Sequence, residues 1–291
     1  MKVLIFGSSG MLGKSLVLEA QKRSYTVLGV DIANSDNPVD ITEEKEVERV
    51  FWSFEPEFVI NTVAVVDLLA CENDPCKAYR VNCRPASYLS EYCKKLDASF
   101  IHISTDHFFC NDGRKKHAEN ENVILPNEYS RTKYLAERLA TLYSKSLVVR
   151  TNIVGFKGDA KKPTFVEWFL QELMNGKSIK LFADYFTSSI DVNSFSTHLF
   201  ELIEIGATGL LNLASSTVSS KKEFIEMTVS RLGLSLNDSK DDTISSIQGI
   251  KRAESLGLDV RRVESVLSKK MPSLEEVVEN IAVEAKTRLQ I

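Results

Sequence analysis

Tyr129 and Lys133 stand four residues apart in the stretch Asn-Glu-Tyr-Ser-Arg-Thr-Lys-Tyr-Leu-Ala-Glu. On an α-helix the i and i+4 side chains share one face about a turn apart, so the ammonium at 133 would lie beside the phenol at 129. A nearby cation favours phenolate and draws a tyrosine pKa down from about 10, which makes the phenol a usable proton donor near neutral pH. Such pairs also occur on solvated helix faces, where they have no chemical meaning. Among the eight tyrosines of the chain, only Tyr129 has a lysine four places on.

A second constellation opens the chain. Gly7, Gly10 and Gly13 form G-x-x-G-x-x-G between the apolar run Lys2 to Phe6 and a segment in which Leu12, Leu16, Val17 and Ala20 recur at helical spacing. A strand, a glycine turn and a helix N-terminus make a seat for a dinucleotide pyrophosphate, because the first-turn N–H groups have no partner within the helix. The first glycine allows the turn, the second lets backbone approach phosphate, and the third lets the helix pack closely. Ser9, Met11 and Leu12 belong to the same cradle. Asp31, about twenty residues on at the end of the second strand pattern, is placed to accept from a ribose 2′-OH and to repel a 2′-phosphate. It favours NADH, with NADPH still admissible. Asp40 and Ile41 offer an acceptor and an apolar contact for an adenine edge, or else an ordinary helix N-cap region. Thr62, Val63 and Ala64, directly after the third strand, fall where a parallel sheet presents its ligand crevice.

These residues need a frame. Apolar strands are expected at 26–30, 58–60, 99–103 and 147–149, alternating with helices at 43–54, 78–95 and around Tyr129. That rhythm gives an α/β fold, a doubly wound parallel Rossmann sheet covered on both faces. After Arg150 the pattern changes to a Lys/Gly/Pro loop (155–163), an amphipathic helix at 165–174, short strands near Ile179 and Leu211, and a tail helix capped by Ser273. The expected division is a dinucleotide-binding domain at 1–151, to which later segments are free to return, and a smaller C-terminal α/β substrate lobe at 152–291.

The bulk composition excludes several classes. A length of 291 residues with 43% apolar composition suffices for a full core. A formal charge of −4 argues against nucleic acid as a partner. The basic run Arg114, Lys115, Lys116 and His117 reads as a solvated loop or as a contact to a substrate diphosphate. The amino-terminal apolar run is too short for a signal peptide, and the longest apolar stretch, 58–70, is broken by Asn61 and Asp67 and is too short to span a bilayer. A soluble cytoplasmic protein without membrane partners is expected. The five cysteines are odd in number and lack C-x-x-C spacing, so reduced thiols filling the core are expected, with no disulfide framework and no metal site.

Taken in order, the glycine loop, Asn61-Thr62-Val63-Ala64, Val81-Asn82, Ser104-Thr105-Asp106 and the Tyr129/Lys133 pair resemble the extended short-chain dehydrogenase/reductases. Within them the chain is most similar to the dTDP-4-dehydrorhamnose reductases, over essentially its whole length. Asp40-Ile41-Thr42, Arg150-Thr151 and the segment from Arg252 to Leu258-Asp259 fall where that group has comparable stretches. The resemblance implies that Thr105 supplies a catalytic hydroxyl, Tyr129 the proton and Lys133 a contact to the nicotinamide ribose, with Asn82 supporting the lysine. It implies reduction of the C4 ketone of a nucleotide-linked 6-deoxy-4-keto sugar by NAD(P)H, and a homodimer is compatible with it. Asp106, Asn152, Trp168 and Arg252 are the substrate-contact candidates, Trp168 being equally suited to a core. Departures from the family pattern surround the sugar pocket: His107 replaces an aromatic, the loop Val65 to Glu72 lacks a Thr-x-Val-Asp, and Thr187-Ser188-Ser189 lacks a proline. The Asp-Glu pair of the 4,6-dehydratases is also absent. A noncatalytic NAD(P)-binding regulatory subunit and a nucleotide-sugar epimerase are the competing readings.

Overall fold

The computed structural model describes residues 1–33 and 35–289. From the amino terminus the chain runs through β1 (Lys2–Phe6), α1 (Met11–Lys22), β2 (Thr26–Val30), α2 (Glu44–Phe54), β3 (Phe58–Asn61), α3 (Leu68–Asn73), α4 (Pro75–Asn82), α5 (Arg84–Leu96), β4 (Ser99–Ile103), α6 (Glu128–Ala140) and β5 (Ser146–Arg150). It continues through β6 (Ile153–Val154), α7 (Phe165–Met174), β7 (Lys180–Phe182), β8 (Phe186–Thr187), β9 (Ile190–Asp191), α8 (Val192–Glu204) and β10 (Gly209–Asn212). The last elements are β11 (Ser219–Ser220), α9 (Lys221–Leu232), β12 (Lys240–Asp242), β13 (Ser255–Leu256), α10 (Arg261–Leu267) and α11 (Leu274–Leu289).

Two compact units are formed, and the chain passes between them repeatedly. The first holds Met1–Thr105, Leu125–Arg150 and Ser196–Leu211; the second holds Asp106–Ile124, Thr151–Phe195 and the chain from Asn212 onwards. In the first unit a six-stranded sheet has the order β10-β5-β4-β3-β1-β2. Pairing is parallel from β2 across to β5. Its strands are apolar on both faces because helices cover both, and the core gathers Leu4, Phe6, Phe51, Val59, Leu89, Phe100, Ala136 and Val148. This is the doubly wound α/β fold expected from the sequence. The winding reverses between β1 and β3, so the glycine loop after β1 and the Thr62–Ala64 segment after β3 lie at the carboxyl ends of neighbouring strands.

One expected helix is two. The periodicity across 78–95 is interrupted at Cys83, where α4 ends and α5 begins with Pro85 in its first turn. Proline has no N–H to continue the helical ladder and disfavours helical backbone in the residue before it, so the apolar stripe survives while the helix breaks. α4 also starts earlier than expected, at Pro75, capped by the Asp74 side chain on the Lys77 N–H.

The second unit contains β6 paired in parallel with β9, β8 flanked by β11 and β13, and β7 paired with β12. Its core is built by α7, α9 and α11 through Val166, Phe169, Leu173, Phe224, Val229, Val277 and Ile281. Each of these helices starts with the same chemistry, a Ser or Thr followed three places later by Glu: Thr164/Glu167, Ser220/Glu223 and Ser273/Glu276. Four of the cysteines are buried, Cys76 is exposed, and all five are free. Among the described residues, no helix is long and apolar enough to cross a membrane.

Candidate active site

The glycine loop is shaped by contacts that only glycine permits. Gly7 adopts φ +83°, and a Cβ there would lie 2.4 Å from Thr62 Oγ1. At Gly13 a Cβ would lie 2.0 Å from the Gly7 carbonyl oxygen, so α1 is pressed against the turn that precedes it. Thr62 fixes the same place from the other side, donating its hydroxyl to the Phe6 carbonyl at 2.7 Å. Gly10 is the N-cap of α1 and brings no side-chain cap. The first-turn N–H groups, those of Met11 and Leu12 included, are therefore available to a phosphate. The cradle fits the pyrophosphate of a dinucleotide.

Asp31 is tied to the loop. Its Oδ2 accepts from the Ser9 N–H at 3.1 Å and the Ser9 hydroxyl at 2.7 Å, and its Oδ1 accepts from the Ile32 N–H at 2.8 Å. The carboxylate thus closes the end of β2 onto the glycine turn. Asp40 Oδ1 accepts from both the N–H and the hydroxyl of Thr42 at 2.8 Å, while Ile41 is buried in the core of the unit. After β3 the backbone is held by side-chain amides: Val63 N–H donates to Asn61 Oδ1, and Val65 N–H donates to Asn82 Oδ1 at 2.7 Å. The Asn82 amide nitrogen reaches back to the Val65 carbonyl and across to Thr132 Oγ1 on α6. Asn82 therefore ties the backbone after β3 to α6 at the residue before Lys133.

α6 begins at a capping box in which Asn127 accepts from the Ser130 N–H and Ser130 accepts from the Asn127 N–H, a device worth about 1 kcal/mol. Its buried stripe runs Tyr129, Lys133, Ala136, Glu137 and Ala140, so two charged side chains lie on the covered face. Lys133 is 3% exposed, and its Nζ donates to the Ile103 carbonyl at 2.7 Å, at the end of the strand that leads to Thr105. Burial lowers its pKa to about 8, against an upward pull from the Glu137 carboxylate and then Cys83. Glu137 accepts from Arg150 Nε at 2.9 Å, from Arg150 Nη2 at 2.8 Å, and from the Ser104 hydroxyl at 2.6 Å. Thr105, 5% exposed, is covalently next to that Ser104. Behind it, burial and then the Lys133 charge hold the His102 imidazole well below its ordinary pKa, and it is neutral. Tyr129, Lys133 and Thr105 are thus carried by one unit, on a helix face and a strand end joined through the Lys133 bond to Ile103.

In the second unit, Asn152 donates its amide to Asp106 Oδ2 at 2.7 Å and accepts the Ser189 hydroxyl at 2.7 Å. Arg252 meets the same neighbourhood through His107, whose pKa is pushed down to about 4 by burial, then by Arg252 and Lys221. His107 is a neutral packed imidazole at pH 7, 3.4 Å from the Tyr185 hydroxyl. Trp168 is 41% exposed and stands off the buried stripe of α7, its ring 6.4 Å from that of Phe165. The basic run is spent internally: Arg114 bonds Glu223, Lys115 bonds Glu121, Lys116 donates to the Ser216 carbonyl, and His117 stacks on Phe109 at 3.8 Å. Among the described residues, no group of three or more His, Cys, Asp or Glu side chains is placed to hold a metal ion.

Sequence reasoning passed over Glu137 and Lys221, and named Ser104 only as part of a motif, without a role. The first was readable, since it continues the Tyr129 and Lys133 stripe by one more helical turn. Lys221 carries no such signal, because its neighbours Phe165 and Tyr185 are distant in sequence.

Comparison with known proteins finds the family described as the RmlD substrate binding domain matching residues 1–286. A probable low-salt glycan biosynthesis reductase, Agl14, of Haloferax volcanii is 26% identical over 95% of both chains. A dTDP-4-dehydrorhamnose reductase of Aggregatibacter actinomycetemcomitans is 32% identical over 71% of this chain and 70% of that one. Among solved structures, a dTDP-4-dehydrorhamnose reductase of Bacillus anthracis in complex with NADP superposes with a TM-score of 0.89 at 23% identity, covering 97% of this chain and 99% of that one.

Proposed function

The chain belongs to the RmlD substrate-binding domain family, and from that membership and the site's geometry we propose that it is an NAD(P)H-dependent reductase of the C4 ketone of a nucleotide-activated 6-deoxy-4-keto sugar. The observation that carries this reading is the buried stripe of α6, which sets Tyr129 and Lys133 on one covered face of the unit that holds the glycine cradle. A reduced nicotinamide dinucleotide, when bound there, supplies hydride. The protein's part is to manage charge on the oxygen that receives it. Tyr129 donates its phenolic proton to the developing C4 alkoxide, and the Thr105 hydroxyl donates a hydrogen bond to the same oxygen. Lys133, an ammonium below its pKa of about 8, favours the phenolate left behind. The curated relatives named above support the sugar-nucleotide class, being themselves named as reductases of a dTDP sugar and of glycan biosynthesis. Asp31 favours NADH over NADPH.

The test is a panel of dTDP-, GDP-, CDP- and UDP-linked 4-keto sugars, followed by loss of reduced-nicotinamide absorbance. At least one member should be turned over. Tyr129→Phe should lower kcat by roughly 10² to 10⁴ while NADH still binds. Silence across the panel, with cofactor binding demonstrated by titration, would replace this reading with a noncatalytic dinucleotide-binding regulator.

A further inference from the structure

The second unit contains two cations whose side-chain donors have no hydrogen-bond partner among the described residues. Lys221 is the first residue of α9, and its Nζ lies 4.1 Å from the centroid of the Phe165 ring and 5.8 Å from that of Tyr185. The residue as a whole is half-buried, while burial of its charged end lowers its pKa to about 8, against an upward pull from the Asp106 carboxylate. Among the described residues, its ammonium makes neither a hydrogen bond nor an ion pair, and the rings of Phe165 and Tyr185 lie beside it. Arg252 presents a buried Nε without a partner. Lys221 shares the Tyr185 ring with His107, whose Nε2 lies 3.4 Å from the Tyr185 hydroxyl, and the charges of Lys221 and Arg252 both oppose protonation of that imidazole.

Charge balance decides what that spot is for. The one carboxylate that acts on Lys221 is Asp106, one of whose oxygens already accepts from the Asn152 amide, and the histidine on which both cations act is neutral. Neighbouring cations are satisfied: Arg114 by Glu223 and Lys222 by Asp241. A ring face attracts an ammonium without accepting its three N–H donors in hydrogen-bonding geometry, so Phe165 and Tyr185 hold Lys221 in place and leave its donors for a ligand. Desolvating a cation without a counterion is unfavourable, and an arriving anion reverses that penalty. The anion must carry more than one charge to answer both side chains. A neutral sugar ring does not; a diphosphate does.

We propose that Lys221, backed by Phe165 and Tyr185 and joined by Arg252, is the seat for the diphosphate oxygens of the nucleotide sugar. This rests on the reductase reading for the identity of the ligand, and it assigns the phosphoryl contact to Lys221 and not to the basic run at 114–117, which is consumed by internal partners.

Calorimetric titration of the full-length protein with thymidine diphosphate, uridine diphosphate and inorganic pyrophosphate tests it, with NADH titration as the check that the first unit is intact. Wild type should bind the nucleoside diphosphates. Lys221→Met should weaken them, and pyrophosphate with them, by roughly ten- to hundred-fold, while Lys221→Arg should keep most of the affinity. Diphosphate affinity in Lys221→Met within about two-fold of wild type, with NADH binding normal, overturns the seat. So does failure of the wild type to bind any of the three probes. Should Lys221→Met fail to fold, Arg252→Gln takes its place: the same weakening is expected, and unchanged diphosphate affinity overturns the seat in the same way. The two proposals fail separately: diphosphate binding without keto-sugar turnover sinks the reductase and leaves the seat, whereas turnover with an unchanged KM in Lys221→Met does the reverse.

Discussion

Lys133 holds its proton against the preference of its surroundings, and the direction of that tension can be measured. Burial draws its pKa down to about 8, and Glu137 is the first influence opposing the fall. The proposed chemistry needs the ammonium, so turnover should be level below about pH 7.5 and drop roughly ten-fold per unit once pH exceeds about 8. Stability should move the opposite way. The folded value lies below the ordinary 10.5, so between about 8 and 10.5 the unfolded chain binds this proton and the folded one does not; the lysine's contribution to stability rises as pH climbs through that window. Glu137→Gln removes the carboxylate that holds the ammonium, and the alkaline limb of the pH–rate profile should shift to lower pH. It also removes the carboxylate paired with the buried Arg150 guanidinium, at a cost of about 3–5 kcal/mol in chemical denaturation. A purely structural Glu137 would lose the stability and leave the limb where it was.

The elements that position these residues were readable where local pattern and tertiary burial agree. β1 through β5 show as apolar runs because a parallel sheet is buried on both faces, and α11 shows as a stripe with a cap. Where the pattern was continuous but the backbone was not, as at Cys83, a single proline outweighed the periodicity on either side of it. α9 was missed although Ser220 and Glu223 spell a capping box, since its apolar residues are sparse. The glycine loop was legible as a motif; that Gly13 is jammed against the loop itself was not. A Cβ at 13 would meet the Gly7 carbonyl oxygen at 2.0 Å, whereas at 10 the nearest atom is that same oxygen at 3.3 Å. Gly13→Ala should therefore push α1 off its turn, weaken NADH binding at least about ten-fold and lower stability by roughly 1–3 kcal/mol. Gly10→Ala should be milder in thermal melts. Equal losses for both substitutions would mean that the crowding at 13 is relieved by movement.

At the scale of the whole molecule, the interleaving of the two units sets how the chain can be divided. The segment 106–124 carries no apolar period of its own; it is fixed by partners that come late in the sequence. His117 N–H donates to the Gly257 carbonyl at 2.9 Å, Asp259 N–H donates to the His117 carbonyl at 2.9 Å, and the Asn212 amide donates to that carbonyl as well. The approach is so close that a Cβ on Gly257 would lie 2.4 Å from the Lys115 carbonyl oxygen. In the other direction β10, far from β5 along the chain, borders it at the edge of the first unit's sheet. Pairings between segments so distant along the chain leave no mark on local spacing, which is why they were not visible in the sequence. A fragment ending at residue 151 would lack β10 along β5 and would carry 106–124 without its partners, with unsatisfied backbone groups and an uncovered strand. Such a fragment should melt without a cooperative transition, and co-expression with 152–291 should restore one, because the later segment returns β10 to the sheet and supplies Gly257 and Asp259 to His117. A sharp, native-like melt of the 1–151 fragment alone would mean that each unit's core folds without the strands and loops the chain brings back to it.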